Sequence, residues 1–500
     1  MPIGEPQAER RMPARSLPAE GLPAPQPRYV VWEVTLSCNL KCSHCGSRAG
    51  KPRADELSTA ECVALIGELK RAGTREVVLI GGEAYLRPDW LTLVAEITRQ
   101  GILCGLQTGA RALTEAKIEA AARAGLKTIG VSIDGGPATH DRLRGVKGSH
   151  GHAVAAIRLA RQHGMMATAN SQINRRNVGE LRDIFATIIA AGAMAWQIQL
   201  TVPMGNAADD PALLLQPYDL AALLPELFSM FKEGLRHGLQ LMPGNNIGYF
   251  GPFEAAWRST SGRPEYYGGC QAGRAGLGIE ADGAIKGCPS LPTTSYVGGN
   301  IRDRSFTEIW ADSAELNFMR DPASSSARRW GFCGKCYYGP VCRAGCTWTT
   351  HLLAGKPGNN PFCHYRVLRL AERGWREVIV QTQAPAHKLP FDHGRFEILV
   401  EDAQGRRHGQ DIFAGDDFHD LAPDVAAAPG PLVLCEVCDQ FFYENEPQCP
   451  HCRQGAAADA PPEADDSVRV VRQMIHHQRE LDRILQRIAQ FAALESTAPR

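Results

Sequence analysis

Short apolar runs, rich in β-branched residues, recur along the first half of the chain and alternate with longer amphipathic segments. The intervening segments, such as STAECVALIGELKRAG and LTEAKIEAAARAG, have the apolar spacing of helices and end in glycine. Six βα units in succession predict an α/β fold whose parallel sheet curves into a partial barrel, with the chemistry at the carboxyl ends of the strands. The runs that predict strands span residues 29–35, 76–81, 102–108, 127–133, 166–173 and 196–201.

Composition and charge limit which partners and which cellular compartment the sequence predicts. A chain of 500 residues is long enough for two or three domains and needs no disulfides to stabilise its core. Lys and Arg total 54, as do Asp and Glu, so no net field favours nucleic acid or a membrane as a partner. Residues 1–27 are rich in proline and lack a signal-peptide core, which predicts a disordered leader. With no apolar run long enough to span a membrane, we expect a cytoplasmic protein, in which clustered thiols usually bind metal.

Three of the sixteen cysteines fall within eight residues, in CNLKCSHC, directly after the first predicted strand. Thiolates bind zinc, copper(I) or iron–sulfur clusters, and a structural zinc site needs four protein ligands. The other nearby cysteines are isolated and match no ligand spacing. A 4Fe–4S cluster that takes Cys38, Cys42 and Cys45 and leaves its fourth iron open therefore explains the set. A zinc knuckle that borrows a distant ligand is the alternative on spacing alone.

The CxxxCxxC spacing of these cysteines resembles the motif of the radical SAM superfamily, and the predicted partial barrel is then a (β/α)6 TIM-like barrel. The resemblance implies that S-adenosylmethionine (SAM) chelates the open iron through its amino and carboxylate groups. It further implies that one electron from the cluster cleaves SAM to methionine and a 5'-deoxyadenosyl radical, which abstracts a hydrogen atom from the substrate.

The residues after the second strand, Gly81, Gly82 and Glu83, match the GGE motif of the same family. The two glycines allow the backbone to approach a ligand closely, and the carboxylate can accept a hydrogen bond from an ammonium group. Standing alone, the motif would be an ordinary loop, but its place one strand after the cysteines implies that it holds the SAM amino group. After the third strand, Gly109 stands where relatives usually show the asparagine of TNG, so a side-chain contact from that position is in doubt.

The resemblance also implies roles for five polar residues. Ser132 and Arg144 are expected to contact the ribose and the carboxylate of SAM, and His44 to stack its ring on the adenine. Asp134 is expected only to order the turn after the fourth strand. Asn177, in a family-like NxxEL, is expected to cap a helix and so to be structural.

A second cysteine set begins near residue 270, and its number, order and spacing resemble the SPASM extension of radical SAM enzymes that mature peptides and proteins. The family's connectivity implies two auxiliary 4Fe–4S clusters, one of which lacks a fourth cysteine and has an open iron or a non-cysteine ligand. Two zinc sites are the alternative. The implied ligands are Cys270, Cys288 and Cys346 for auxiliary site I, and Cys333, Cys336, Cys342 and Cys363 for auxiliary site II.

Further along, the pattern predicts a metal module and a helical tail. Two CxxC knuckles can close a tetrahedral zinc site and fold a small zinc-ribbon-like module, with rubredoxin-like iron as the alternative. The four cysteines of this set are Cys435, Cys438, Cys449 and Cys452. The predicted organisation is a barrel over 28–240, a SPASM domain over 241–372, a small module of unknown role over 373–430, a ribbon over 431–456, a linker over 457–466 and an amphipathic helix over 467–496.

The whole pattern predicts a radical SAM/SPASM enzyme that abstracts hydrogen from a peptide or protein substrate, in the maturation of a ribosomally made peptide. We expect three 4Fe–4S clusters, SAM and one Zn²⁺ as cofactors, and a flavodoxin- or ferredoxin-type electron donor as a partner. The alternatives are a sulfatase-type formylglycine maturase, an enzyme acting on a small molecule such as a tetrapyrrole, and a non-catalytic zinc-binding scaffold. The motifs are common to all the enzyme alternatives and do not separate them.

Overall fold

The computed structural model describes residues 24–453, apart from 259–264, 322–324, 326, 387, 416–417, 419–430 and 436. The predicted linker and C-terminal helix lie outside the described residues, and so do residues 1–23 of the predicted leader. The described end of that leader is ordered, because the Gln26 N–H donates a hydrogen bond to Arg274 O at 2.7 Å.

All six predicted strands are confirmed, and a seventh extends the barrel. Every neighbouring pair in this series is parallel. The seventh strand was missed because QLMP is too short to show a period-2 pattern. The strands are β1 Tyr29–Thr35, β2 Glu76–Gly81, β3 Leu103–Thr108, β4 Thr128–Ser132, β5 Met166–Ile173, β6 Ala195–Leu200 and β7 Gln240–Pro243.

Helices connect these strands and cover the outer face of the sheet. The first begins at a capping box formed by Ser58 and Glu61. The third ends at Gly125, whose φ of +103° is a left-handed conformation that glycine adopts without strain. The helices of the barrel are α1 Thr59–Arg71, α2 Trp90–Arg99, α3 Glu115–Ala124, α4 Pro137–Arg144, α5 Ser149–Gln162, α6 Leu181–Ala190 and α7 Leu220–Arg236.

The second cysteine region continues the same sheet on the other side of β1. Strand β8 (Gly276–Ile279) pairs in parallel with β1, and β9 (Ala284–Lys286) and β10 (Val297–Asn300) follow as antiparallel partners. The ten strands have the order β10-β9-β8-β1-β2-β3-β4-β5-β6-β7. Cys288 follows β9 and Cys38 follows β1, so the sheet places both cysteine segments after strands that are separated only by β8.

Two small sheets follow the barrel. The first joins β11 (Arg376–Gln383), β12 (Arg395–Glu401) and β13 (Arg407–His408), and the second joins β14 (Leu432–Leu434) and β15 (Phe441–Tyr443). Short α-helices span Glu254–Trp257, Thr293–Tyr296, Phe306–Asp312, Ala314–Asn317, Gly331–Lys335, Gly339–Cys342, Thr347–Ala354 and His364–Ala371. Short 3-10 helices span Ala84–Leu86, Val178–Glu180, Gly205–Ala208, Pro211–Leu213, Pro217–Asp219 and Gln410–Ala414.

Strands β5 and β6 are apolar on the face that meets the helices and polar on the other. Along β5 the burial alternates residue by residue, with Ala169 and Ile173 in the core under the helices and Asn170 and Gln172 only half-buried. Successive side chains of a strand point to opposite faces, so the half-buried set lines the lumen of the barrel. Within the described residues, no helix is long and apolar enough to cross a membrane.

Candidate active site and metal centres

The loop of the first three cysteines follows β1 directly and packs on the loop after β2. The Gly82 N–H donates to Thr35 O at 2.9 Å, and the Glu83 N–H donates to Ser37 O at 2.8 Å. A Cβ on Gly82 would lie 2.3 Å from Ser37 O, and one on Gly81 would lie 2.1 Å from Thr35 O. The two glycines therefore allow the backbone after β2 to pack closely on the backbone of the cysteine loop.

Arg144 and Asp134 form an ion pair beside the first cysteine set. Arg144 Nη1 lies 3.6 Å from Cys42 Sγ, and His44 Nε2 lies 3.3 Å from Asp134 Oδ2. Burial alone would raise the pKa of Asp134, but Arg144 and His44 hold it well below its usual range. A carboxylate at this position keeps the guanidinium beside the thiolate.

The cysteine thiols themselves are poorly solvated. Burial raises the pKa of the Cys38 thiol to about 12 and that of Cys42 to about 11, although Arg144 acts against the rise at Cys42. Thiols with such pKa values need a bound cation to become thiolates at neutral pH. Three soft donors on one loop, with a guanidinium beside them, fit an iron–sulfur cluster.

The carboxyl group of Glu83 is buried at the carboxyl end of β2, next to this loop. It accepts hydrogen bonds from the Thr108 hydroxyl and from the Gly109 N–H, the latter at 2.7 Å. Burial raises the pKa of Glu83 to about 7, and both hydrogen bonds act against that rise. A Cβ at residue 109 would lie 2.3 Å from Leu40 Cδ1, so the structure leaves no room for a side chain there. Residue 109 therefore binds Glu83 through its backbone N–H.

A short segment between β11 and β12, residues 389–394, lies over the cysteine loop, and we call it the strap. The Arg48 guanidinium donates to Asp392 Oδ1 at 2.8 Å, and the Gly205 N–H donates to Asp392 O at 2.7 Å. The Phe391 N–H donates to Gly46 O at 3.0 Å. The module to which we assigned no role thus supplies part of the cover of the first cysteine set.

The strap also connects this loop to the second cysteine region. The Phe391 ring is buried in a small apolar cluster with Val202, Met204 and Leu352, and Lys286 Nζ lies 4.0 Å from the centre of the ring. Trp348, two residues after Cys346, donates through Nε1 to Met204 Sδ at 3.2 Å. These contacts close the space between the barrel and the helix Thr347–Ala354.

The four cysteines predicted for auxiliary site II line one small cavity, together with Phe250, Tyr338 and Tyr365. Burial raises the pKa of Cys336 to about 12, so this thiol also needs a cation to ionise. The buried Arg366 places Nη1 3.7 Å from Cys333 Sγ and forms an ion pair with Glu377. A cavity lined by soft donors and aromatic rings, with one guanidinium beside a sulfur, fits an iron–sulfur cluster.

The three cysteines predicted for auxiliary site I also lie together. Burial raises the pKa of Cys346 to about 12, and the charges of Cys270 and Cys288 contribute to the same rise. Cys270 and Cys288 both pack on the cluster of Ala272, Leu291 and Tyr296.

The last four cysteines form a tighter group. Cys435 Sγ lies 3.7 Å from Cys452 Sγ, and Cys438 Sγ lies 3.6 Å from Cys449 Sγ. Four thiolates around one zinc at 2.3 Å would be about 3.8 Å apart, so the group fits a tetrahedral mononuclear site. Within the described part of the chain, it is the one set of three or more His, Cys, Asp or Glu ligand atoms that all lie within 4.8 Å of one another.

Two residue roles predicted from the sequence are corrected by the contacts. Asn177 precedes a 3-10 helix but makes no side-chain cap, and instead accepts from the Asn174 N–H and donates to Asp134 O. Asp134 does more than order a turn, because its carboxylate pairs with Arg144 and accepts from the Gln172 N–H at 2.9 Å. Ser132 lies at the carboxyl end of β4, and the SAM contacts expected of Ser132, His44, Arg144 and the GGE residues stay predictions.

Sequence analysis missed the strap and the polar lumen. Nothing local marks Arg48, Asp392 or Phe391 as partners, because they are distant in sequence. The polar lumen is predictable from the sequence, because MATANSQI and WQIQL alternate polar and apolar residues.

Comparison with known proteins agrees with this geometry. Residues 32–173 match the radical SAM superfamily, and residues 270–337 match an iron–sulfur cluster-binding domain, SPASM. An AdoMet-dependent heme synthase of Methanosarcina barkeri is 31% identical over 351 residues, which are 68% of this chain and 97% of the relative. Mycofactocin maturase MftC of Mycobacterium tuberculosis is 30% identical over 342 residues, 67% of this chain and 83% of the relative.

Solved structures share the fold at low identity. The structure of anSMEcpe with bound AdoMet superposes with a TM-score of 0.54 at 16% identity, over 68% of this chain and 95% of that one. SuiB of Streptococcus suis bound to the precursor peptide SuiA gives 0.51 at 16% identity, over 65% and 72%. The chain belongs to the radical SAM superfamily and is an enzyme of the type that carries a SPASM domain, binding SAM and iron–sulfur clusters.

Proposed function

We propose that this enzyme abstracts a hydrogen atom from a peptide or protein substrate in the lumen of the barrel, as part of the maturation of a ribosomally made peptide. When bound, the cluster at Cys38, Cys42 and Cys45 together with SAM supplies a 5'-deoxyadenosyl radical. Glu83 holds the SAM ammonium group, and the Arg144–Asp134 pair keeps a positive charge beside the thiolate. The strap and the apolar cluster around Phe391 keep water out of the space above the loop.

The proposal of a peptide substrate rests on the side chains that line the lumen. Five amide side chains line its face on β3, β5 and β6, with Asn170 directly beside Gln197 and Gln172 beside Gln199. Strands β3 to β6 contain no charged residue. Paired amides donate and accept hydrogen bonds as a peptide backbone does, and they offer no cation to a carboxylate. The lumen amides are Gln107, Asn170, Gln172, Gln197 and Gln199.

The cofactor set of this proposal is three 4Fe–4S clusters, SAM and one zinc ion. Auxiliary site II has four cysteines, whereas the SAM cluster and auxiliary site I have three each. The fourth iron of auxiliary site I is open or bound by another ligand. The ribbon cysteines take zinc, because mutual spacing below 4.8 Å suits one ion and not a cluster whose thiolates bind separate irons. A flavodoxin- or ferredoxin-type protein supplies the electron, and the cytoplasm is the compartment.

The test is anaerobic turnover with a strong reductant and SAM. We expect 5'-deoxyadenosine to accumulate, and Cys42→Ala to abolish it. A peptide encoded beside the gene of the enzyme, prepared with deuterated side chains, should raise the rate and transfer deuterium into 5'-deoxyadenosine. Gln172→Leu and Gln199→Leu should raise the KM for the peptide and leave SAM cleavage without peptide intact. Transfer from no peptide would contradict the proposal.

A tetrapyrrole substrate is the second candidate, favoured by the heme synthase relative, which matches over 97% of its length. Such a substrate carries carboxylates, which would have to find their cations outside β3 to β6. The same assay separates the two, because a tetrapyrrole that raises the rate of 5'-deoxyadenosine formation where peptides do not would replace the peptide.

A further inference from the structure

The described part of the predicted ribbon, which ends at residue 453 and carries the last four cysteines, shares one aromatic core with auxiliary site II, and we call this part the ribbon from here on. Tyr337 and Tyr338 directly follow Cys336, a predicted ligand of that site, and both are almost completely buried. The Tyr338 ring stacks on Phe250 at 4.1 Å between centres and meets Tyr365 edge to face at 5.0 Å. Buried residues of the same core include Cys342 of site II and Cys435, Cys438 and Cys449 of the ribbon.

Hydrogen bonds fix the ribbon to these two tyrosines. The Tyr338 hydroxyl donates to Phe441 O at 2.6 Å and lies 2.8 Å from His451 Nε2. The Tyr443 N–H donates to Tyr337 Oη at 2.8 Å, and the Tyr443 hydroxyl donates to Tyr337 O at 3.2 Å. The contacts on the ribbon come from β15 and from the second knuckle, so they depend on the fold of the ribbon.

Apart from its contacts with Tyr337, Tyr338 and the core around them, the ribbon has little to fold it except a bound metal. Among its described residues, the secondary structure is the two three-residue strands β14 and β15. Its buried aromatic residues, Phe441, Phe442 and Tyr443, belong to the core shared with auxiliary site II. A module of this size with two CxxC knuckles folds when metal binds and unfolds when it is removed. Loss of the metal would therefore uncover Tyr337 and Tyr338, the second of which lines the auxiliary cavity.

We propose that the ribbon is a metal-dependent cover for the auxiliary cluster at Cys333, Cys336, Cys342 and Cys363, and that zinc in the ribbon protects this cluster from water and oxygen. Tyr338 is a positioning residue. Its hydroxyl binds the ribbon and its ring lines the auxiliary cavity, so unfolding of the ribbon releases this part of the cavity wall. The proposal rests on the proposed function in one respect, which is the assignment of a cluster to auxiliary site II. Burial and the surrounding hydrogen bonds set the stability and potential of such clusters.

The experiment measures iron release rather than catalysis. The full chain with Cys38, Cys42 and Cys45 all changed to Ala isolates the auxiliary sites and should hold about eight irons, four per cluster. In this background, Cys438→Ser with Cys449→Ser removes the zinc. In air with a ferrous chelator, this variant should release about four irons at least about 10-fold faster than its parent. The remaining four irons should leave at the rate of the parent.

A milder variant keeps the test informative if the double substitution impairs folding. Tyr338→Phe keeps the ring and removes the hydroxyl contacts to Phe441 and His451, and should speed release of the same four irons about 3-fold while zinc stays bound. Tyr267→Phe is the matched control, because its ring packs in the same core and its hydroxyl has no hydrogen-bond partner among the described residues. Tyr267→Phe should behave like the parent.

The outcomes distinguish a failure of the proposed cofactor set from a failure of the proposed cover. If the background protein binds only about four irons and Cys336→Ala does not lower that number, auxiliary site II is not a cluster site and the proposed cofactor set fails. If Cys336→Ala does lower it, the four irons are those of auxiliary site II, and the cover is tested on their release. If the background protein binds about eight and the zinc-free variant releases them no faster, the cover is overturned while the cofactor set stands. Equal acceleration of both clusters, with Tyr338→Phe like the control, also overturns a local cover.

Discussion

Arg48 and Asp392 are 344 positions apart in the chain, and Arg48 Nε lies 2.8 Å from Asp392 Oδ1. Arg48 stands three residues after Cys45, and Asp392 belongs to the strap. The same guanidinium also holds Asp209 through two hydrogen bonds of 2.6 and 2.8 Å. One side chain of the cysteine loop is thus bound from two distant parts of the chain, which couples the strap to the loop of the first three cysteines.

Asp392→Asn tests this coupling. The loss of a largely buried charged hydrogen bond should cost about 1–3 kcal/mol, and it should loosen the cysteine loop. We expect faster iron loss in air from the SAM cluster and a lower rate of 5'-deoxyadenosine formation. Glu401→Gln is the control, since Glu401 binds Arg376 and Arg407 in the same module at 2.8 and 2.9 Å. Equal effects of both variants would mean that only the module, and not the strap contact, matters.

Glu83→Gln should weaken SAM binding about 10- to 100-fold, because it removes the negative charge offered to the ammonium group and keeps the size of the side chain. Equilibrium dialysis with SAM measures the effect. Glu180→Gln is a matched control. Its carboxylate also accepts from a backbone N–H, that of Gly136 at 2.8 Å, and from a threonine hydroxyl, that of Thr139. Unchanged SAM affinity in Glu83→Gln would remove Glu83 from the binding site.

Stability should fall as the pH rises through the range in which Glu33 ionises. Burial raises the pKa of Glu33 from 4.5 to about 7, with Glu280 acting in the same direction and Arg53 against it. The folded state therefore holds a proton that the unfolded chain has released, so the free energy of unfolding decreases between about pH 5 and 7 and is level above. The decrease due to this one group is about 3 kcal/mol at most.

Glu33→Gln should flatten that part of the profile, measured as unfolding midpoints in urea from about pH 5 to 8. Glu61→Gln is the control, because hydrogen bonds from Arg302 and Ser58 lower the pKa of Glu61 to about 2, so it does not titrate in this range. A profile in Glu33→Gln as steep as that of the unsubstituted protein would exclude Glu33 as the source.

The strap has a second anchor that a double-mutant cycle can measure. Lys286 is fully buried, pairs with Glu280 at 2.6 Å and stands over the Phe391 ring. The cycle of Lys286→Met and Phe391→Leu should give a coupling free energy of about 1–2 kcal/mol, as expected for a desolvated cation–π contact. A coupling near zero in unfolding measurements would show that the ring fills space only.

The predictions that succeeded rest on signals within short windows. The six strands were found because apolar runs such as EVVLIG and YVVWEVT stand between amphipathic helices. The ribbon cysteines were grouped correctly because two CxxC pairs so near each other constrain one another. Where the signal was weaker, as at Asn177, the local motif suggested a cap, and tertiary contacts to Asp134 engaged the side chain instead.

By itself the sequence determined the parallel barrel, the positions of the cysteine sets and the class of chemistry, because periodicity and ligand spacing act over a few residues. Tertiary structure decided which distant residues meet: Arg48 with Asp392, Phe391 with Lys286, and Tyr338 with the ribbon. It also added β7 to β10 to the sheet and turned the amides of β5 and β6 into the lumen. Such contacts depend on chain closure and packing over hundreds of residues, and no local pattern encodes them.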